Sequence, residues 1–378
     1  MANDYDEVLR KCQSALRLRY DGALRPQAER CFDDERQLIE ERGFSNVLVQ
    51  VVEFATEQRQ HGRACHLIGS GCSSMINYLL DLSEVDPIQH RTLFQRFWLT
   101  SNDAPPTFQF VVASADKDTA TEIPVPEHVS VHPMTPLESI PVIVERKFPE
   151  INIPMNDPAT FDAITAGDTD GVFQFETEYA RKLAARIRPR RIDDLAVITA
   201  LTVIECSEPS VVADFLARST ESSKADQQQR DLRVGTIPHL DALLFQESIL
   251  LLLHHQVGLT WSEAYRFLLD AAKGRRCENH SLWKEAVRKA SQRCQDEIKS
   301  ECLVEALAKS SITSTCCAHH LANAITSYRA AFLRTHQRTA FQQAFESVTA
   351  GRREFRGTLA LDGSVDLRNG PSACFSMD

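Results

Sequence analysis

Apolar residues at Val8, Leu9, Cys12, Ala15 and Leu16 recur three and four positions apart, so residues 5–20 predict an amphipathic helix. Residues 34–42 carry the same period. Residues 47–55 are apolar except at Gln50 and Glu53, which predicts a helix buried over most of its surface. A short apolar piece then leads into Gly69-Ser-Gly-Cys-Ser-Ser74 and on to Met75-Ile-Asn-Tyr-Leu-Leu80, a loop feeding a helix start whose free N–H groups suit an anion. From 104 to 158 the character changes. Ten prolines fall in this stretch, and pieces such as Phe108-Gln-Phe-Val-Val112 and Ile140-Pro-Val-Ile-Val144 read as strands, with the proline density arguing against long helices. The helical period returns at Phe161 and dominates to about Val348, interrupted by a polar linker over 219–230, and the glycine-bearing residues 349–378 read as a flexible tail. No fixed-period repeat is present.

Composition narrows the class. With 378 residues, 43% hydrophobic and 25% charged, the chain has the make-up of a folded, water-soluble protein of two or three domains. Its net charge of -10 argues against coating nucleic acid by bulk charge, so any DNA contact must be local. The longest apolar run, 249–253, stops at His254 and His255, far short of a membrane span, and the acidic N-terminus has no signal-peptide pattern. The expectation is a cytoplasmic protein with no membrane partner. Eleven cysteines without C-x-x-C spacing fit reduced thiols rather than a disulfide framework.

Several colinear segments carry a family resemblance. Glu35-Arg-Gln-Leu-Ile-Glu-Glu-Arg-Gly-Phe44, the Gly69 loop and Leu93-Phe-Gln-Arg-Phe97 resemble the palm of C-family bacterial DNA polymerases, the family of the DNA polymerase III alpha subunit. Asn156-Asp-Pro158, Gly167-Asp-Thr-Asp-Gly-Val-Phe-Gln-Phe-Glu176 and Ile192-Asp-Asp-Leu195 resemble the start of its fingers. Phe245-Gln-Glu247, Lys273-Gly-Arg-Arg276 and the stretch from His319 to His336 continue the match in order. Pro105-Pro106 leans toward the error-prone branch. The resemblance implies a mainly α fold with a small α/β part: a truncated palm-like domain over 1–150, a helical fingers-like domain over 151–348, and the tail. Between Val112 and Val131 only 18 residues stand where the family inserts its thumb, so that insertion is missing around 113–130. The family's N-terminal phosphatase-like domain and the regions after its fingers likewise have no expected counterpart.

The resemblance fails where the chemistry sits. Polymerisation needs carboxylates that hold two Mg2+ ions, which activate the primer hydroxyl and neutralise the transferring phosphoryl group. The resemblance sets Thr107, Gln109 and Pro133 at the three family aspartate positions, so no catalytic residue is expected and Mg2+ binding is doubtful. Ile68 stands in place of the phosphate-loop arginine, leaving Gly69, Ser70, Gly71, Ser73 and Ser74 as a remnant. Glu205 enters a region that normally approaches a polyanion, and Cys316 and Cys317 replace an Asn-Lys pair.

The expected function is a catalytically inactive DNA polymerase III alpha subunit-like protein acting in DNA replication or repair. Its partners would be DNA, bound weakly, and other polymerase or repair subunits. An active DNA-directed DNA polymerase and a decaying duplicate are the alternatives. Lys273, Arg275 and Arg276, with His319, are the candidate DNA contacts, although a basic helix end meeting its own carbonyls explains the cluster equally well. Asp116 and Asp118 could replace the lost ligands but read better as a solvated loop. Cys316, Cys317, His319 and His320 have half of a zinc-site spacing, yet helix-borne Cys and His are usually packed residues, and no metal is expected.

Overall fold

The structure is a computed structural model that describes residues 2–100, 104–113, 124–206, 208–221, 243–273 and 281–359. The N-terminal helices α1 (Ala2–Arg19), α2 (Arg25–Arg42) and α3 (Ser45–Gln60) form where the apolar period placed them, burying Val8, Cys12 and Leu16 from α1 and Leu48, Val51 and Phe54 from α3. α2 begins earlier than residue 34 because Pro26 presets its first turn and Ala28 and Phe32 extend the buried stripe. Strand β1 (Ala64–Ile68) passes through a 3-10 turn over Gly69–Ser73 into α4 (Met75–Leu79), and α5 (Gln95–Trp98) follows.

β1 pairs antiparallel with β2 (Phe108–Ala113), which pairs parallel with β3 (Val129–Pro133) in a sheet of order β1-β2-β3. Phe108 and Phe110 share one face and are fully buried. Phe110 meets Phe54 of α3 at 5.5 Å, and Phe108 meets Phe97 and Trp98 edge-on at 4.8 and 5.6 Å.

Residues 140–144, expected as strand, lie in α6 (Pro136–Lys147). A Thr135–Glu138 capping box starts this helix, Pro136 occupies its first turn, and Ile140 and Val144, four apart, are buried. Pro141 inside it forfeits one backbone hydrogen bond without ending it.

The C-terminal part is helical: α7 (Pro158–Ala166), α8 (Glu178–Ile187), α9 (Ile192–Glu205), α10 (Pro209–Glu221), α11 (Gln246–Leu252), α12 (Trp261–Ala272), α13 (Ser281–Cys294), α14 (Glu297–Thr313), α15 (Cys317–His336) and α16 (Arg338–Leu359). α9 is buried almost all round and makes the most extensive helix contact with α15. α10 reaches Glu221, into the stretch read as linker; residues 222–242 lie outside the described ones. α16 likewise continues through the first part of the expected tail to Leu359, because Gly351 and Gly357 each cost a helix only about 1 kcal/mol. One apolar core runs from α1 through the sheet to α9, α15 and α16, and a second gathers α11 to α14 around Leu250, Leu253 and Leu307. Among the described residues no helix is long and apolar enough to cross a membrane.

Candidate functional site

The Gly69 loop is fixed from below by a carboxylate. Glu35 of α2 is fully buried at the N-terminus of α4, where it accepts from Met75 N at 2.8 Å, Ile76 N at 3.4 Å, Trp98 Nε1 at 2.6 Å and the Ser74 hydroxyl. Ser74 is itself the N-cap of α4, accepting from Asn77 N at 3.0 Å. Burial nevertheless outweighs these donors and pushes the Glu35 carboxyl up to about 7. Gly69 adopts φ +75, which only glycine takes without strain. Ser73 donates back to the Ser70 carbonyl at 2.7 Å.

A second helix start faces the loop. Glu247 of α11 is buried and accepts from Cys317 N at 2.8 Å, Ala318 N at 3.3 Å and Cys316 Sγ at 3.4 Å, capping α15 much as Glu35 caps α4. His319, in the first turn of α15, takes the Gly69 N–H on Nδ1 at 3.2 Å. Its Nε2 faces the Asn323 amide at 3.1 Å, and burial lowers its pKa to about 4, so the ring is neutral. Arg96 of α5 bridges toward the same junction, donating to Gln246 at 2.7 Å.

Gln109 lies opposite Ile68 in the sheet, and its carboxamide oxygen sits where a Cβ on Gly69 would come within 2.6 Å. Thr107 is exposed just ahead of β2. The register sets Pro133 opposite Val112, on the other face from Gln109, while the residue beside Gln109 on β3 is Ser130. The structure therefore gathers Gly69, Gln109 and His319 but does not bring Pro133 to them. Mg2+ favours charged oxygen ligands, and this spot offers the neutral oxygens of Gln109 and Ser130 beside a histidine already engaged by a backbone N–H; these residues do not fit the ion.

The other candidates separate. Lys273 is exposed at the C-cap of α12; Arg275, Arg276, Asp116 and Asp118 lie outside the described residues. His320 turns away from His319 to Thr199, at 3.0 Å, and among the described residues no three His, Cys, Asp or Glu side chains are grouped to hold a metal. Glu205 accepts from Tyr179 at 2.9 Å. In the sequence Glu35 and Glu247 stand out only as parts of motifs. A buried glutamate has no local signature, because its donors come from segments far along the chain.

Residues 6–123 match the bacterial DNA polymerase III alpha NTPase domain, and residues 140–294 match the bacterial DNA polymerase III alpha subunit finger domain. An error-prone DNA polymerase of Teredinibacter turnerae is 31% identical over 137 residues, covering 35% of this chain and 13% of that protein. A DNA polymerase III subunit alpha of Helicobacter pylori is 24% identical over 199 residues, 51% of this chain and 16% of that protein. One of Staphylococcus epidermidis is 25% identical over 112 residues, 30% of this chain and 10% of that protein. The chain thus spans only a minor part of the length of these relatives.

Proposed function

We propose that this chain, two segments of which match the NTPase and finger domains of bacterial DNA polymerase III alpha subunits, is a polymerase-like protein without nucleotidyl transfer, serving DNA replication or repair by binding DNA or polymerase partners. One observation carries the reading. The two carboxylates at the loop junction, Glu35 and Glu247, are spent as buried helix caps, while the sheet face beside Gly69 presents Gln109 and Ser130, neutral groups at a point where phosphoryl transfer requires metal-binding carboxylates. The scaffold around that point is kept: the loop, its buried clamp and the helix start that meets it. A binding protein needs that scaffold, and only an enzyme needs the metals.

The deciding experiment is primer extension by the purified chain with Mg2+ or Mn2+ and all four deoxynucleotides. No extension is expected. Metal-dependent incorporation that disappears on Asp116→Ala with Asp118→Ala would overturn the proposal in favour of an active DNA-directed DNA polymerase with substitute ligands.

A further inference from the structure

At the end of β1 away from the Gly69 loop, a groove of about 810 Å³ opens between α3, the start of β1, α6 and α15. Five arginines line it. Two of them are neutralised: Arg329 pairs with Glu84 and Glu145, and Arg19 with Asp81. The other three are not. Arg59 donates to the Asp81 carbonyl, Arg63 to Gln58 Oε1 at 2.8 Å and Arg146 to the Gly62 carbonyl at 2.7 Å, and none of the three has an ion pair among the described residues. Each guanidinium carries five N–H donors and spends only part of them on these neutral oxygens. Glu138, a further carboxylate of the lining, is drawn aside into the capping box of α6, accepting from Thr135 N at 2.7 Å.

Four carboxylates, Asp81, Glu84, Glu138 and Glu145, line the same groove, yet each is engaged by Arg19, Arg329 or the α6 capping box, so the three arginines from α3, the β1 approach and α6 form no ion pair with them. His66 also lines the groove; its ring makes no hydrogen bond among the described residues and is held below the ordinary imidazole pKa by burial. Its ring is thus a neutral donor or acceptor beside the arginine forks. Guanidinium forks match phosphate oxygens bidentately, and the volume falls within the roughly 300–1,000 Å³ of small-ligand sites.

We propose that this groove binds a phosphate-bearing ligand through Arg59, Arg63 and Arg146, the phosphate belonging either to a free nucleotide or to the backbone of a single DNA strand. The site goes beyond the function proposed above, since Lys273 does not line it and no nucleotidyl transfer is involved.

The test is calorimetric titration of the full chain with pyrophosphate and dATP at low salt, alongside fluorescence anisotropy with labelled oligothymidylate. Arg63→Gln is the informative variant, because Arg63 holds only a side-chain oxygen whereas Arg59 and Arg146 also tie down backbone carbonyls. Wild type should bind, Arg63→Gln should weaken binding at least about tenfold with its circular dichroism unchanged, and Arg63→Lys should recover part of the loss. Tight binding of dATP with no effect of oligothymidylate identifies a nucleotide; the reverse identifies DNA backbone. Lys273→Ala with Arg275→Ala and Arg276→Ala should leave pyrophosphate binding unchanged, which separates this site from the other basic segment. Absence of binding to all three probes at low salt, or equal binding by Arg63→Gln, overturns the proposal.

Discussion

The Gly69 N–H donates to Nδ1 of His319 across 3.2 Å, joining residues 250 positions apart and tying the loop after β1 to the first turn of α15. The bond requires an unprotonated Nδ1, and burial lowers the His319 pKa from 6.5 to about 4. The sign follows: a depressed folded pKa gives stability that is present above about 6.5 and lost as pH falls through about 4. The shift corresponds to about 3 kcal/mol. In denaturant unfolding, the stability of wild type relative to His319→Gln, which cannot take a proton, should fall as the pH is lowered from 7 to 4, the Glu35 contribution being common to both proteins. Parallel profiles for the two proteins would contradict the arrangement.

Gly69→Ala separates two costs at the same loop. The positive φ penalises any Cβ by about 1 kcal/mol, and the new methyl would also press on the Gln109 carboxamide at 2.6 Å. Gln109 is the end of a flexible side chain and can move, so Gly69→Ala should destabilise by about 1–2 kcal/mol. Adding Gln109→Ala should recover only the contact part. Full recovery in urea titrations of the double variant would mean that backbone strain contributes little.

Much of this fold is legible in the apolar period. Val8, Cys12 and Leu16 mark α1, and the nearly unbroken apolar run of α9 marks a helix buried on all sides. Residues 140–144 mislead because their β-branched side chains read locally as strand and Pro141 as a helix breaker, while the capping box that decides for helix lies upstream at Thr135 and Glu138. The motif residues Gly69 and His319 are visible as members of separate segments, and the fold supplies their contact. Glu35 is hidden for a different reason: its position in the acidic, basic-flanked α2 suggests a solvated face, and its burial depends on Trp98, 63 positions away. The arginine groove is equally non-local, since Arg59, Arg63 and Arg146 come from separate elements.

Restoring carboxylates should not restore polymerisation. Thr107→Asp with Gln109→Asp would supply two, but Pro133 pairs with Val112 on the opposite face, so no third ligand from that position can join them. Primer extension by the double variant should remain at background. Measurable extension would show that a carboxylate elsewhere completes the site.

DNA binding through the fingers-like segment should be weak and electrostatic. Lys273 is exposed at the end of α12, and with Arg275 and Arg276 it forms a short basic run in an acidic chain, enough for only a few phosphates. Affinity for primed DNA should be roughly micromolar or poorer at physiological salt and fall as salt rises. Replacing all three with Ala should abolish it while the helical signal in circular dichroism persists. Equal retention of labelled DNA by the triple variant would move the role to protein partners.

Glu35 gives the sharpest stability test. Its two oxygens receive four donors, Oε1 from Ser74 and Trp98, and Oε2 from Met75 N and Ile76 N. In Glu35→Gln the amide oxygen can serve the backbone pair, but the amide NH2 then faces Trp98 Nε1, which can only donate. Leaving that indole N–H unpaired should cost about 1–3 kcal/mol. Trp98→Phe combined with Glu35→Gln should add less than Trp98→Phe costs alone, since the orphaned donor is already lost. The pH dependence runs opposite to that of His319. Burial raises the Glu35 pKa from 4.5 to about 7, so its contribution is fully present below about 4.5 and is lost as pH rises through about 7, again about 3 kcal/mol. The gap in stability between wild type and Glu35→Gln should therefore narrow as pH rises from 4.5 to 7.5. A gap that stays constant over that range in urea titrations would mean that the carboxyl ionises at its ordinary value, with the four donors offsetting its burial.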